Sequence, residues 1–140
     1  PPERIALFGR SLGAAVAVEA ALHHPVRCVI LESAFTSTKG MAREMGPFAL
    51  FSFLAPAHYN NLEKAPRIDA PKLFIHGRED EIVPFHMGEA LYRAATEPKS
   101  FLPLDRAGHN DTYVVGGEPY FRALTGFARD PEGGIREETP

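Results

Sequence analysis

An α/β domain, a parallel sheet with flanking helices, is predicted by three features of this 140-residue chain. Ile5–Phe8, Cys28–Leu31 and Leu73–Ile75 are continuous apolar runs rather than alternating ones, the pattern of strands buried on both faces of a sheet. Segments with apolar residues at helical spacing separate them. Finally, Gly9-Arg10-Ser11-Leu12-Gly13 falls directly between the first run and the Ala-rich segment Ala14–Leu22. That is G-x-S-x-G where a strand hands over to a helix.

The elements follow in order. After the first strand, Leu12–His24 offers Ala14, Val18, Ala21 and Leu22 at helical spacing, small enough to approach a sheet closely. Cys28–Leu31 is the second strand and Lys72–Gly77 the third. Phe85–Thr96 shows Met87, Leu91 and Ala95 on one face, and Pro98 stops it. Phe101–Leu104 is a fourth strand of a different kind: Pro103 cannot donate to a ladder, so it belongs at an edge. Tyr120, Phe121, Leu124 and Phe127 form an amphipathic closing helix. Asp130–Pro140, with Gly133-Gly134, acidic residues and a terminal proline, reads as a disordered tail. No internal repeat and no second domain is visible, so residues 1–129 read as one domain.

The motif makes a specific physical demand. A serine leaving a sheet on a sharp turn is held in a strained backbone conformation. Glycines two residues to either side would remove Cβ atoms that clash as strand and helix close. An ordinary glycine-flanked βα turn shares the same string, so the rest of the chain must supply an acid and then a histidine. Asp80 follows the third strand in the loop Arg78-Glu79-Asp80-Glu81, and His109 follows the fourth in Gly108-His109-Asn110-Asp111. Ser11, Asp80 and His109 all fall past the carboxyl ends of strands, the edge where open α/β sheets build their sites. The residue types fit acyl transfer. A serine hydroxyl needs a histidine to take its proton, an acid to hold that histidine's tautomer, and an N–H for the oxyanion, here the backbone of Leu12.

On these stretches, together with Leu31-Glu32-Ser33-Ala34-Phe35-Thr36-Ser37 and Pro71–Pro84, the chain resembles the C-terminal half of an α/β-hydrolase. It is most similar to the small-lidded intracellular branch that includes depalmitoylating thioesterases and serine-aminopeptidase-like hydrolases. The resemblance covers nearly everything from Arg4 to about Arg129. It implies Ser11 as nucleophile, Asp80 as triad acid and His109 as base, with no cofactor, acting on a small acyl substrate or an acylated protein. It also implies strands upstream of the first one here, and a second oxyanion donor from an upstream loop, for which this sequence holds no candidate. Met41–Asn61, with Phe48, Leu50, Phe51, Phe53 and Leu54, reads either as a small lid over an acyl pocket or as a helix packed on the core. A non-catalytic scaffold or inactive fragment that binds a ligand or partner is the competing class. With its nucleophile strand lacking a neighbour on one side, the chain alone is expected to self-associate, or to pair with an N-terminal half, and to be nearly inactive.

Three other acids compete with Asp80. Asp111 lies two residues from His109 and is expected to cap a turn. Glu32 ends the second strand and is expected to hydrogen-bond structurally, and Glu81 is expected to be solvated. Among the histidines, His23 and His24 complement a helix dipole, His58 and His86 read as surface or lid residues, and His76 can orient the Asp80 loop. No H-E-x-x-H, P-loop or G-x-G-x-x-G occurs, which argues against metal, nucleotide and dinucleotide sites.

Composition narrows the class further. The chain is 44% hydrophobic and 24% charged with a net charge of −3, a balance that suits one soluble core and argues against a nucleic-acid surface. Cys28 is the only cysteine, so no internal disulfide can form. It reads as a small buried hydrophobe in a reducing, cytoplasmic setting. Pro1-Pro2-Glu3-Arg4 leads straight into a strand with no signal peptide, though targeting segments could precede a fragment boundary. The most apolar stretch, Gly46–Ala57, is too short to span a bilayer and holds Pro47 and Pro56.

Overall fold

The computed structural model describes residues 1–44 and 59–133. The strands are β1 (Ala6–Arg10), β2 (Cys28–Glu32), β3 (Lys72–Gly77) and β4 (Lys99–Leu104), and the helices α1 (Leu12–His23), α2 (Thr38–Glu44), α3 (Asn61–Lys64), α4 (Phe85–Ala94) and α5 (Thr112–Arg129). All four strands are parallel, in the order β1-β2-β3-β4. Parallel strands need crossovers, and α1 and α4 supply two of them.

The continuous apolar runs are explained by burial on both faces. Every residue of β2 and β3 is buried. Val29, Leu31 and Phe74 pack with Ala14, Ala17, Val18, Ile68 and Leu91 on the α1 and α4 side. Their sequence neighbours Cys28, Ile30, Leu73 and Ile75 pack with Tyr120 and Phe127 of α5 on the other. The period of two that such a run hides is thus present in space.

β1 and β4 close the described sheet. β4 carries Pro103 at the edge, paired with β3 on one side, as its proline requires. β1 pairs with β2 alone among the described residues, and Ile5 and Phe8 are exposed at 46% and 52%, as are Leu12 and Val16 of α1.

β1 spans Ala6–Arg10 rather than Ile5–Phe8, β2 ends at Glu32 rather than Leu31, and β4 begins at Lys99 rather than Phe101. The helix boundaries differ from the expectation in three places. α1 ends at His23 and α4 at Ala94, one and two residues short of the ranges read from the sequence, as His24 and Ala95 leave helical geometry. The closing helix is longer than expected. It starts at Thr112 and is broken at Gly117, which has φ 52° and ψ −143°, before resuming with Pro119 in its new first turn. The Gly116-Gly117 pair therefore joins two helical pieces. Gly116 is required there, because a Cβ would lie 2.7 Å from the Tyr120 Cβ. The phenylalanine-rich part of the expected lid and most of the expected tail, residues 45–58 and 134–140, lie outside the described residues. Cys28 is fully buried, and burial pushes its thiol pKa up.

A candidate active site at the carboxyl edge of the sheet

Ser11 is the single residue between β1 and α1, and its backbone shows the strain its position demands: φ 53°, ψ −119°, a region costly for a side chain with a Cβ. Two main-chain bonds hold the turn. The Ser11 N–H donates to the Glu32 carbonyl at 2.9 Å, and the Ala14 N–H donates to the Ser11 carbonyl at 3.0 Å. Although Ser11 occupies the N-cap position of α1, its side chain makes no capping bond. The hydroxyl is thus not committed to the helix.

The glycine argument holds on one side only. A Cβ at Gly9 would sit 2.4 Å from the Gly13 carbonyl oxygen, 2.7 Å from the Ala14 Cα and 2.8 Å from the Ala17 Cβ. Strand and helix cross at this point with no room for one. A Cβ at Gly13 meets nothing within 4 Å among the described residues. The expectation that both glycines relieve a clash is corrected to Gly9 alone, because Gly13 already lies on the helix, past the crossing.

Asp80 and His109 come together from loops 29 residues apart. The His109 Nδ1 lies 2.9 Å from Asp80 Oδ2 and 3.0 Å from Oδ1. Asp80 is itself held by its own loop: Oδ1 accepts the Ile82 N–H at 3.0 Å and the Val83 N–H at 2.7 Å. The two loops are also zipped by main-chain bonds from Arg78 N–H to the Leu104 carbonyl and from Glu79 N–H to the Ala107 carbonyl. Gly77 permits this closure, since a Cβ there would lie 2.2 Å from the Ala107 oxygen.

His76 stands behind the pair. It is 1% exposed, its Nε2–H donates to the Val83 carbonyl at 2.8 Å, and the same nitrogen lies 3.5 Å from Asp80 Oδ2. Burial, the largest influence, pushes its pKa below the usual imidazole range, against the opposing pull of the Val83 carbonyl and Asp80. A neutral ring with the proton on Nε2 results. Gly88 makes room for it, because a Cβ would lie 2.3 Å from the His76 Nδ1. The expectation that His76 orients the Asp80 loop agrees with this contact.

The competing acids are otherwise engaged. Asp111 Oδ1 accepts the Gly108 N–H at 2.7 Å, within its own turn. Glu32 is 1% exposed and accepts hydroxyl hydrogens from Thr112 and Tyr120, both at 2.6 Å. Burial and this carboxylate push the Tyr120 pKa up. Glu81 is exposed, as expected, and in addition its Oε2 accepts the His109 N–H at 3.1 Å, since the zipped loops bring it within reach of that amide.

Arg10 drew no attention in the sequence, although it stands inside the G-x-S-x-G string. Its Nε lies 3.3 Å from Glu32 Oε1, and its terminal nitrogen donates to the His109 carbonyl and, at 2.9 Å, to Asn110 Oδ1. The residue before Ser11 is thereby tied to the backbone of His109. No local pattern announces such a bond, which joins positions 99 apart.

Among the described residues no group of three or more His, Cys, Asp or Glu could hold a metal ion, and no helix is long and apolar enough to cross a membrane.

Comparison with known proteins adds the family. The profile described as Serine hydrolase (FSH1) matches residues 6–109. The chain is 39% identical over 126 residues to an uncharacterized protein of Mycobacterium tuberculosis, covering 90% of this chain and 45% of that protein. It is 36% identical over 115 residues to the human Alpha/beta hydrolase domain-containing protein 17B, covering 82% of this chain and 38% of that one. The chain therefore spans less than half the length of these curated relatives. Among solved structures it is similar to a Pyrococcus furiosus esterase, with a TM-score of 0.71 and 24% identity over 91% of this chain and 53% of that one. The esterase domain of a Rhodothermus marinus protein gives a TM-score of 0.66 at 24% identity, covering 89% and 59% of the two chains. The profile match runs from the start of β1 to His109, and the chain belongs to the serine hydrolase (FSH1) family of the α/β-hydrolase superfamily.

Proposed function

We propose that the protein cleaves a carboxylic ester, thioester or amide through an acyl-enzyme formed on Ser11, with His109 as base and Asp80 as acid. The observation that carries this reading is the buried Asp80–His109 contact at 2.9 Å, tied through Arg10 to the turn that strains Ser11. With Asp80 accepting from Nδ1–H, the His109 Nε2 is left unprotonated and able to take the Ser11 proton as Oγ attacks the acyl carbon. The carbonyl π electrons move onto oxygen, where the Leu12 N–H at the positive end of α1 donates to the developing charge. Collapse expels the alcohol, thiol or amine, which takes the proton from His109. Water then attacks the acyl-enzyme by the same route and restores Ser11.

A small acyl substrate or an acylated protein suits this chemistry. We infer a cytoplasmic setting from the single cysteine in this sequence, which allows no internal disulfide. The test is active-site labelling of the protein as its gene encodes it. A fluorophosphonate probe is expected to label Ser11 alone, and Ser11→Ala and His109→Ala to abolish labelling. Labelling that survives Ser11→Ala refutes the assignment, and a well-folded wild type that takes no label favours a non-catalytic binding role.

A further inference from the structure

Arg10 and Glu32 are register partners at the carboxyl ends of β1 and β2. Glu32 is a nearly fully buried carboxylate, which needs both hydrogen bonds and a countercharge. Thr112 and Tyr120 supply two hydroxyl donors, and Arg10 supplies the cation. If neutralising Glu32 were the whole role of Arg10, one edge of the guanidinium would suffice. The other end is spent on His109 and its neighbour: one terminal nitrogen donates to the His109 carbonyl and to Asn110 Oδ1. A guanidinium is planar, so fixing Nε on Glu32 aims the far nitrogen.

The consequence is a histidine held at three points. Its ring is held by Asp80, its N–H by the Glu81 carboxylate, and its carbonyl by Arg10. Two of these anchors come from the Asp80 loop and move with it. Arg10 alone reaches from the nucleophile's strand, and the carbonyl of its partner Glu32 holds the Ser11 N–H. Glu32 therefore fixes Ser11 through its main chain and His109 through its side chain and Arg10. Resting on the triad reading above, we propose that Arg10, aimed by Glu32, is a positioning residue that sets the separation between Ser11 and His109.

The proposal is tested in the full protein with Arg10→Lys and Arg10→Ala, by p-nitrophenyl acetate turnover normalised to sites titrated with a fluorophosphonate. Lysine keeps the charge but cannot bond Glu32 and the His109 carbonyl through one rigid plane. Displacing a reacting group by about 1 Å can cost about 10²-fold. Arg10→Lys is expected to lower kcat per titrated site about 10- to 100-fold with KM within about twofold, and Arg10→Ala at least as much. If Arg10 only stabilises the fold, melting temperature and titratable fraction fall while kcat per titrated site stays within about twofold of wild type; that result overturns the proposal. Normalisation keeps the measurement meaningful for a variant that folds poorly. His109→Ala and Ser11→Ala run alongside: turnover surviving either one refutes the triad reading itself, in an arm separate from the Arg10 variants.

Discussion

Asp80→Asn is the substitution from which the geometry permits the most to be worked out. Asp80 Oδ1 accepts two main-chain hydrogens, from Ile82 and Val83, at 3.0 and 2.7 Å. An asparagine in the same rotamer keeps those bonds by placing its carbonyl oxygen there. Its amide nitrogen then takes the Oδ2 position, 2.9 Å from the His109 Nδ1 and 3.5 Å from the His76 Nε2. An –NH₂ can only donate, and the remaining oxygen, 3.0 Å from Nδ1, already accepts two main-chain hydrogens. The amide therefore favours the tautomer with Nδ1 bare and the proton on Nε2, the wrong nitrogen to receive one from Ser11. The imidazolium formed during attack also loses its counter-charge. Wrong-tautomer variants of such triads lose about 10³–10⁴ in kcat, which at about 1.4 kcal/mol per decade is roughly 4–5.5 kcal/mol of transition-state stabilisation. The fold should survive, since the loop bonds are kept. Steady-state hydrolysis of a p-nitrophenyl ester, with circular dichroism to confirm folding, makes the measurement. Asp111→Asn, which disturbs only a bond to Gly108, should change kcat by less than about tenfold. The reverse ranking of the two variants would show that the wrong acid had been assigned.

Other outcomes follow from the same structure. Gly9→Ala forces a methyl against backbone at 2.4 Å and should destabilise the fold by about 1–3 kcal/mol or more. Gly13→Ala, in open space among the described residues, should be neutral or slightly stabilising; equal melting temperatures would contradict this contrast. His76 has its pKa lowered by burial, so the unfolded chain takes up that proton near pH 6.5 while the folded chain does not until lower pH. Stability should fall with pH below about 6.5, by at most about 1.4 kcal/mol per pH unit from this one proton. His76→Gln, which keeps a donor for the Val83 carbonyl, should flatten the slope between pH 7 and 5, and parallel urea-unfolding profiles would count against the assignment. The 140-residue chain alone, with β1 paired on one side among the described residues and Ile5, Phe8, Leu12 and Val16 exposed, should sediment as an oligomer or aggregate. With only one oxyanion donor in its sequence, it should hydrolyse p-nitrophenyl esters near background, a missing donor costing about 10²–10³. A monodisperse monomer with ordinary enzymatic turnover would refute both expectations.

How much of this was legible without coordinates depends on the range over which each feature is encoded. The second and third strands were visible from the apolar runs Cys28–Leu31 and Leu73–Ile75 at their centres, because a strand covered on both faces is apolar along its middle. The buried polar residues at their ends, Glu32, Lys72 and His76, gave no such signal. The order Ser11, Asp80, His109 and their places past strand ends could be read locally too, since a strand's end and a tight turn are both written in adjacent residues. Pro103 identified an edge strand through its missing N–H alone. Tertiary structure decided what depends on packing between distant segments. Gly9 is obligatory and Gly13 is not, because only the crossing angle of β1 and α1 determines which Cβ meets backbone. Exposed Glu81 is also an anchor for the His109 N–H because two loops zip together around Gly77. Arg10 reaches the His109 carbonyl because parallel pairing puts it beside Glu32 and α5 closes over that carboxylate with Thr112 and Tyr120. A polar bond between residues about a hundred positions apart leaves no period and no composition in the chain. It exists only once the sheet register and the helix packing bring both ends to the same place.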